Sequence, residues 1–167
     1  MQSELILLRI LHILPGAIWV GTAVFLAVIL EPALRKAGPD VARGIGPHLV
    51  DRVFALAVSS ALITILMGLA LVQRTPGRDF GQLFSNDWGW LMGVGLISSV
   101  IALVLGVTSN RALKQIVAIS KSLLPGPPGT EEAEKIAQLQ KRSRILGRAV
   151  ALLVLLAVAL MASARLA

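Results

Sequence analysis

The stretch LILLRILHILPGAIWVGTAVFLAVIL, running from Leu5 to Leu30, carries one charged residue, Arg9, at its outer end. A helix needs about 20 mainly apolar residues to cross about 30 Å of hydrocarbon, and this stretch exceeds that length. Three further stretches match it: Val53 to Val72, Trp88 to Val107, and residues 147–164 around the run Ala149 to Met161. All are continuous apolar runs, not ten-residue alternating strands, so a spanning barrel is excluded. The sequence therefore predicts an all-α integral membrane protein, an antiparallel bundle of four transmembrane helices forming one domain over residues 1–167. The first stretch is too long for the apolar region of a signal peptide and lacks a basic leader, so it is expected to stay as a span.

Composition agrees. The 167 residues are 56% hydrophobic and 15% charged, where soluble domains carry about 25% charged residues. Cysteine is absent, which removes disulfides, thiolate metal sites and cysteine nucleophiles, and tyrosine is absent as well. The net charge of +7 does not point to nucleic acid, because of where the charges fall. Residues 31–52 and 110–148 hold twelve of the sixteen Lys and Arg, leaving Arg9, Arg74, Arg78 and Arg165 on the other side. By the positive-inside bias the two basic loops are expected in the cytoplasm and both termini outside a multi-pass cell-membrane protein.

The second basic segment is expected to be structured. Leu113, Ile116, Val117 and Leu124 continue helix three at helical spacing, and the Pro125–Gly129 run must break it. Thr130 offers an N-cap with Glu131, Glu132 and Glu134 in the first turns that follow. Ile136, Ala137, Leu139 and Ile145 are expected to face the outgoing helix, so that residues 110–146 form a cytoplasmic helical hairpin extending helices three and four. On the other side, Trp88 and Trp90 mark an interfacial aromatic belt, and Phe80, Leu83 and Phe84 give the outer loop an apolar side. Gly89 and Gly93 form a GxxxG that permits close approach of a helix, including one from a second copy in a homo-oligomer.

In the apolar interior of the spans the only ionisable group is His12. Ionisable groups in the bilayer are costly and tend to be functional. The absence of intramembrane carboxylates argues against a proton- or sodium-coupled transporter. Ser59, Ser60, Thr64, Ser98 and Ser99 are read as interhelical hydrogen-bonders. On the face of His12 lie Arg9, Gly16 and Trp19. This set suits b-type haem: an axial imidazole, a glycine leaving room for a porphyrin edge, a flat apolar wall, and an arginine for a propionate. Pro15 is expected to kink the helix there. The other reading is a structural histidine bonded to a serine or a free carbonyl, with Trp19 as ordinary packing.

Met67, Met92 and Met161 each fall near the outer end of a helix, at about the depth of His12. Thioethers with an imidazole make a soft copper site, although methionine also fills core gaps. His48 follows Pro47 at the other end of the membrane, about 25–30 Å of helix axis from His12, and is read as interfacial.

The run Leu11-His12-Ile13-Leu14-Pro15-Gly16-Ala17-Ile18-Trp19-Val20-Gly21, closing at Glu31-Pro32-Ala33-Leu34, resembles the first helix of the copper-resistance D (CopD-like) superfamily, and Asn110-Arg111 is similar to its pattern after helix three. The HemJ-like protoporphyrinogen oxidase branch has a similar helix-one histidine and is known for haem b. The resemblance implies that His12 is a haem or metal ligand. That branch has a lysine after Gly-Trp-Leu in helix three. Here Gly89-Trp90-Leu91 is followed by Met92-Gly93-Val94, a departure that bears on the oxidase activity and not on haem binding. Three expectations follow: a haem protein with an electron-transfer role and a redox partner; a copper-binding or copper-transport protein using His12 with the three methionines; or a non-catalytic scaffold whose hairpin docks a partner.

Overall fold

The computed structural model describes residues 2–122 and 129–166, and all four predicted spans are helices. Helix α1 (Gln2–Phe25) passes through Pro15 without a break, then through a π-helical segment, Leu26–Leu30, into α2 (Glu31–Ala37). The interruption of α geometry thus comes at Leu26–Leu30. There the N–H of Glu31 reaches back to the carbonyl of Leu26. Helices α3 (Pro39–Arg74), α4 (Asp87–Ser122) and α5 (Thr130–Ser163) follow, with one 3-10 turn at Phe80–Gln82. Four helices are long and apolar enough to cross a membrane, and the chain is an all-α, four-helix membrane protein.

At about 1.5 Å per residue the 36-residue helices are on the order of 50 Å long, well beyond the hydrocarbon. The excess lies at the basic end. Much of the segment expected as a loop over residues 31–52 is helical, because α3 begins at Pro39. Gly38 makes the corner between α2 and α3 with φ 96° and ψ 169°, a conformation essentially reserved for glycine. Gly38→Ala is expected to destabilise the protein by about 2 kcal/mol, read as a lower midpoint in SDS unfolding followed by circular dichroism.

Helix α1 packs chiefly on α3 and α4 chiefly on α5, with lighter contacts joining the two pairs. Where they meet, the core is small: Trp19, Ala23, Ala61, Ala102, Val150 and Val154. Large side chains such as Ile6, Ile13, Leu14, Val104 and Leu152 point outward, as lipid-facing residues should. The serines bond differently from the expectation. Ser99 Oγ donates to Gly95 O and Ser59 Oγ to Leu56 O, each within its own helix. A hydroxyl can fold back on its own preceding turn and so needs no neighbour.

Helix α4 does continue past the membrane, as far as Ser122, and α5 starts at Thr130, with Gly129 as its N-cap. Leu124 and all but Gly129 of the helix-breaking run expected at Pro125–Gly129 lie outside the described residues. The projection is more than a hairpin, since α3 joins it: Asp51 pairs with Lys114 at 2.8 Å, and Gly46 faces Val117. Ser109 and Ser143 tie α4 to α5 at 3.0 Å. Ile136 and Leu139 are half-buried as expected, whereas Ala137 and Ile145 are exposed. At the other end Glu4 and Arg74 pair at 3.0 Å, joining α1 to α3.

The GxxxG is filled from within the chain. A Cβ on Gly89 would overlap the backbone carbonyl of Gln82, and one on Gly93 would overlap the ring of Phe84. Phe84 holds φ at 67°, a strained value for this residue, and packs edge-on to Trp90 with ring centroids 5.1 Å apart. The close approach expected at Gly89 and Gly93 is therefore made by the chain's own 75–86 loop, with Arg78 stacked over Trp88 at 4.1 Å. Trp90 is lipid-exposed, but Trp88 is buried beneath this loop.

Candidate functional site

His12 lies in the seam between α1 and α3. Its Nδ1 is 2.7 Å from the carbonyl oxygen of Thr64. A carbonyl only accepts, so Nδ1 carries the proton, and in the neutral ring Nε2 keeps its lone pair. The ring rests against Gly68, where a Cβ would come within 2.8 Å of Cε1. One turn along α1, Gly16 receives the methyl of Thr64, which lies 3.3 Å from where a Cβ would stand. The glycine expected to make room for a porphyrin instead lets α3 approach. The Thr64 hydroxyl is buried there with no hydrogen-bond partner.

The remaining members of the expected haem face diverge. Arg9 is exposed, and Trp19 is buried in the core between the helix pairs. The structure thus offers one oriented imidazole, but it does not gather Arg9, Gly16 and Trp19 around a slot beside it. Of that set, His12 presents a ligand nitrogen at Nε2, while Arg9 and Trp19 lie in other surroundings. The methionines are also divided. Met161 packs against Gly95 in the α4–α5 seam, a different seam from that of His12, while Met67 and Met92 are half-buried on α3 and α4. Among the described residues no three His, Asp or Glu side chains converge as a metal site. His48 is exposed at the basic end.

A cavity lies elsewhere, between the two helix pairs, in the half toward the basic end. It has a volume of about 470 Å³, within the range of small-molecule sites. Its deep end is walled by Trp19, Ala23, Ala57, Ala102 and Val150. Gly106 on α4 and Gly147 on α5 line it, and a Cβ on either would meet nothing within 4 Å, so the space is open at both. From Trp19 to Glu31 the helix rises about 18 Å, and the lining continues past Glu31 to Gly38, Gly46 and Val117.

Its mouth is charged. Glu31 Oε1 is 2.9 Å from Arg144 Nε and 4.0 Å from Arg35 Nε, and its Oε2 is 3.9 Å from Arg148 Nη2. Arg144 and Arg148 stand one turn apart on α5 and so share a face. The Arg144 contact is ionic without being a hydrogen bond, since the Nε–H is not aimed at the carboxylate. Both Arg144 Nε and Glu31 Oε2 are buried and lack hydrogen-bond partners among the described residues. Asn110, buried on α4, lines the same end.

No family model, curated protein or solved structure matches this chain. What the fold and site define is a class: a four-helix membrane protein with an apolar cavity that carries an acid among arginines toward its basic end. Glu31, Arg144 and Arg148 went unread as site residues because in sequence they look like loop charges. One signal was present. Glu31 directly ends a long apolar run, and Arg144 and Arg148 precede another at i,i+4 spacing.

Proposed function

We propose that this protein binds a small, largely apolar molecule between its two helix pairs, admitted from the leaflet at its basic end. The carrying observation is the cavity, which is open beside Gly106 and Gly147. The charge bias of residues 31–52 and 110–148 supports a cytoplasmic position for that end, with both termini outside. Trp19 is a built-in reporter, because the other two tryptophans, Trp88 and Trp90, lie at the opposite end. In a Trp88→Phe/Trp90→Phe background held in lipid nanodiscs, a dibrominated long-chain alcohol should quench Trp19 fluorescence saturably. Gly106→Leu with Gly147→Leu fills the cavity from both sides and should abolish that quenching while the helical circular dichroism is kept. Gly21→Leu, on an exposed face of α1 with open space around it, is the matched control and should quench as before. Quenching that never saturates, or that survives the double leucine variant, overturns the reading.

A second reading has one observation behind it. A histidine whose Nδ1–H is held by a backbone carbonyl is oriented as metal-bound histidines are, with Nε2 left for the metal. On this reading, and in line with the CopD-like and HemJ-like resemblance, His12 ligates haem b or copper, with a redox role following from the group it holds. Protein expressed with ample haem should then show a Soret band that His12→Ala removes and His48→Ala leaves. Copper instead of haem would appear in metal analysis of protein purified without chelator. A protein with neither band nor metal leaves His12 as the tie between α1 and α3.

A further inference from the structure

We infer that the molecule bound in this cavity is an amphiphile with an anionic head, a carboxylate or phosphate, and that Glu31 is an internal anion it displaces. The inference rests on the cavity reading and adds the chemistry of the mouth.

Three guanidinium groups, Arg35, Arg144 and Arg148, lie within 4.0 Å of one carboxylate, an excess of two positive charges among the described side chains. A cationic head would face that excess, and a neutral one would gain less from it than an anion does. The cluster is also closed in charge but open in hydrogen bonding. Glu31 Oε2 and Arg144 Nε are buried without partners among the described residues, a costly condition for polar groups. Glu31 is tethered to a helix and meets Arg144 off the N–H direction. A ligand head is free to turn and can meet the planar guanidinium with paired N–H···O bonds.

The local backbone explains why the carboxylate is there. Glu31 closes the π-helical segment with its own N–H, bonding to Leu26 O. A π turn changes the angular register of everything after it, and such segments recur at functional sites. Neutral donors stand at the same end: Ser109, Asn110 and Ser143 line the cavity. The apolar space reaching back about 18 Å to Trp19 distinguishes an amphiphile from a free anion, which would leave it empty.

The test uses the full chain in nanodiscs of neutral lipid, with Trp19 as sole tryptophan. The probes are one dibrominated long chain carrying a phosphate, a carboxylate, a hydroxyl or a primary amine, and inorganic phosphate alone. The phosphate and carboxylate probes should bind about tenfold tighter than the alcohol, a difference of one decade in Kd. Glu31→Gln should tighten the anionic probes further and leave the alcohol unchanged. Arg144→Gln should bring the anionic probes to the level of the alcohol. Inorganic phosphate at millimolar concentration should not displace them. Should Glu31→Gln fail to fold, Arg144→Gln and the ranking of heads on the unaltered chain still decide the matter. Equal, saturable quenching by all four heads overturns the anionic assignment and leaves the cavity reading standing. Preference for the amine, or displacement by inorganic phosphate, overturns the anionic amphiphile. Absence of saturable quenching by any chain overturns the cavity reading itself.

Discussion

Gly89→Ala should be the most damaging single substitution at a glycine, costing about 3 kcal/mol, the upper end of what overpacking typically costs. The atom in the way of a new Cβ is the carbonyl of Gln82, a backbone atom that no rotamer change can move. That carbonyl is held where it is. It accepts from Ser85 Oγ at 2.8 Å and from the Ser85 N–H at 3.1 Å. The rest of Gln82 is held too, its N–H donating to Asp79 Oδ1 and its Nε2 to Gly77 O, each at 3.0 Å. Gly89 is fixed from its own side, since its N–H donates to Asn86 Oδ1 at 2.8 Å. Making space therefore means undoing the 75–86 loop or the first turn of α4. Gly93→Ala should cost less, about 1 kcal/mol, because its obstacle is a ring held on a strained backbone at Phe84, which relaxes on moving away. SDS unfolding followed by circular dichroism, with Gly21→Ala as an open-space control, gives the comparison. A Gly89→Ala protein as stable as the parent would show that the loop does not sit on this glycine.

Gly68→Ala should destabilise by about 2–3 kcal/mol, and most of that loss should vanish in the presence of His12→Ala. The new methyl would stand 2.8 Å from His12 Cε1 and 3.0 Å from Nδ1, so the ring must leave the face of α3. It then loses its bond to Thr64 O, worth about 1 kcal/mol net, and the repacking adds a similar or larger sum. His12→Ala alone loses the same bond and opens a space beside Gly68. In the double variant the alanine methyl at 68 occupies part of that space. A double-mutant cycle should therefore return a coupling of about 1–2 kcal/mol, as expected for residues in contact. Additive losses would mean that the ring and the glycine do not share one packing site.

The histidine shows where sequence reading stops. Its position in a span, its status as the only ionisable group there, and its helical neighbours were all legible. Which neighbours share its site was not, because residues on one helical face can be claimed by different partner helices. Gly16 went to Thr64, Trp19 went to the core, and Arg9 to the surface. The same applies to Gly89 and Gly93. Their spacing announced a close approach, and only the fold decided that the approaching chain was the protein's own loop.

What the sequence determined by itself is the four spans, the basic end and the continuation of α4 beyond the membrane. These depend on hydropathy, charge and helical period, properties that each segment carries alone. The tertiary structure decided where the open space lies and which charges it carries. That depends on how α1 and α3 pair against α4 and α5, on the space left open beside Gly106 and Gly147, and on a π turn that sets Glu31 among three arginines. Such facts belong to no single segment. They arise only when residues more than a hundred positions apart, such as Glu31 and Arg144, are brought within 3 Å of each other.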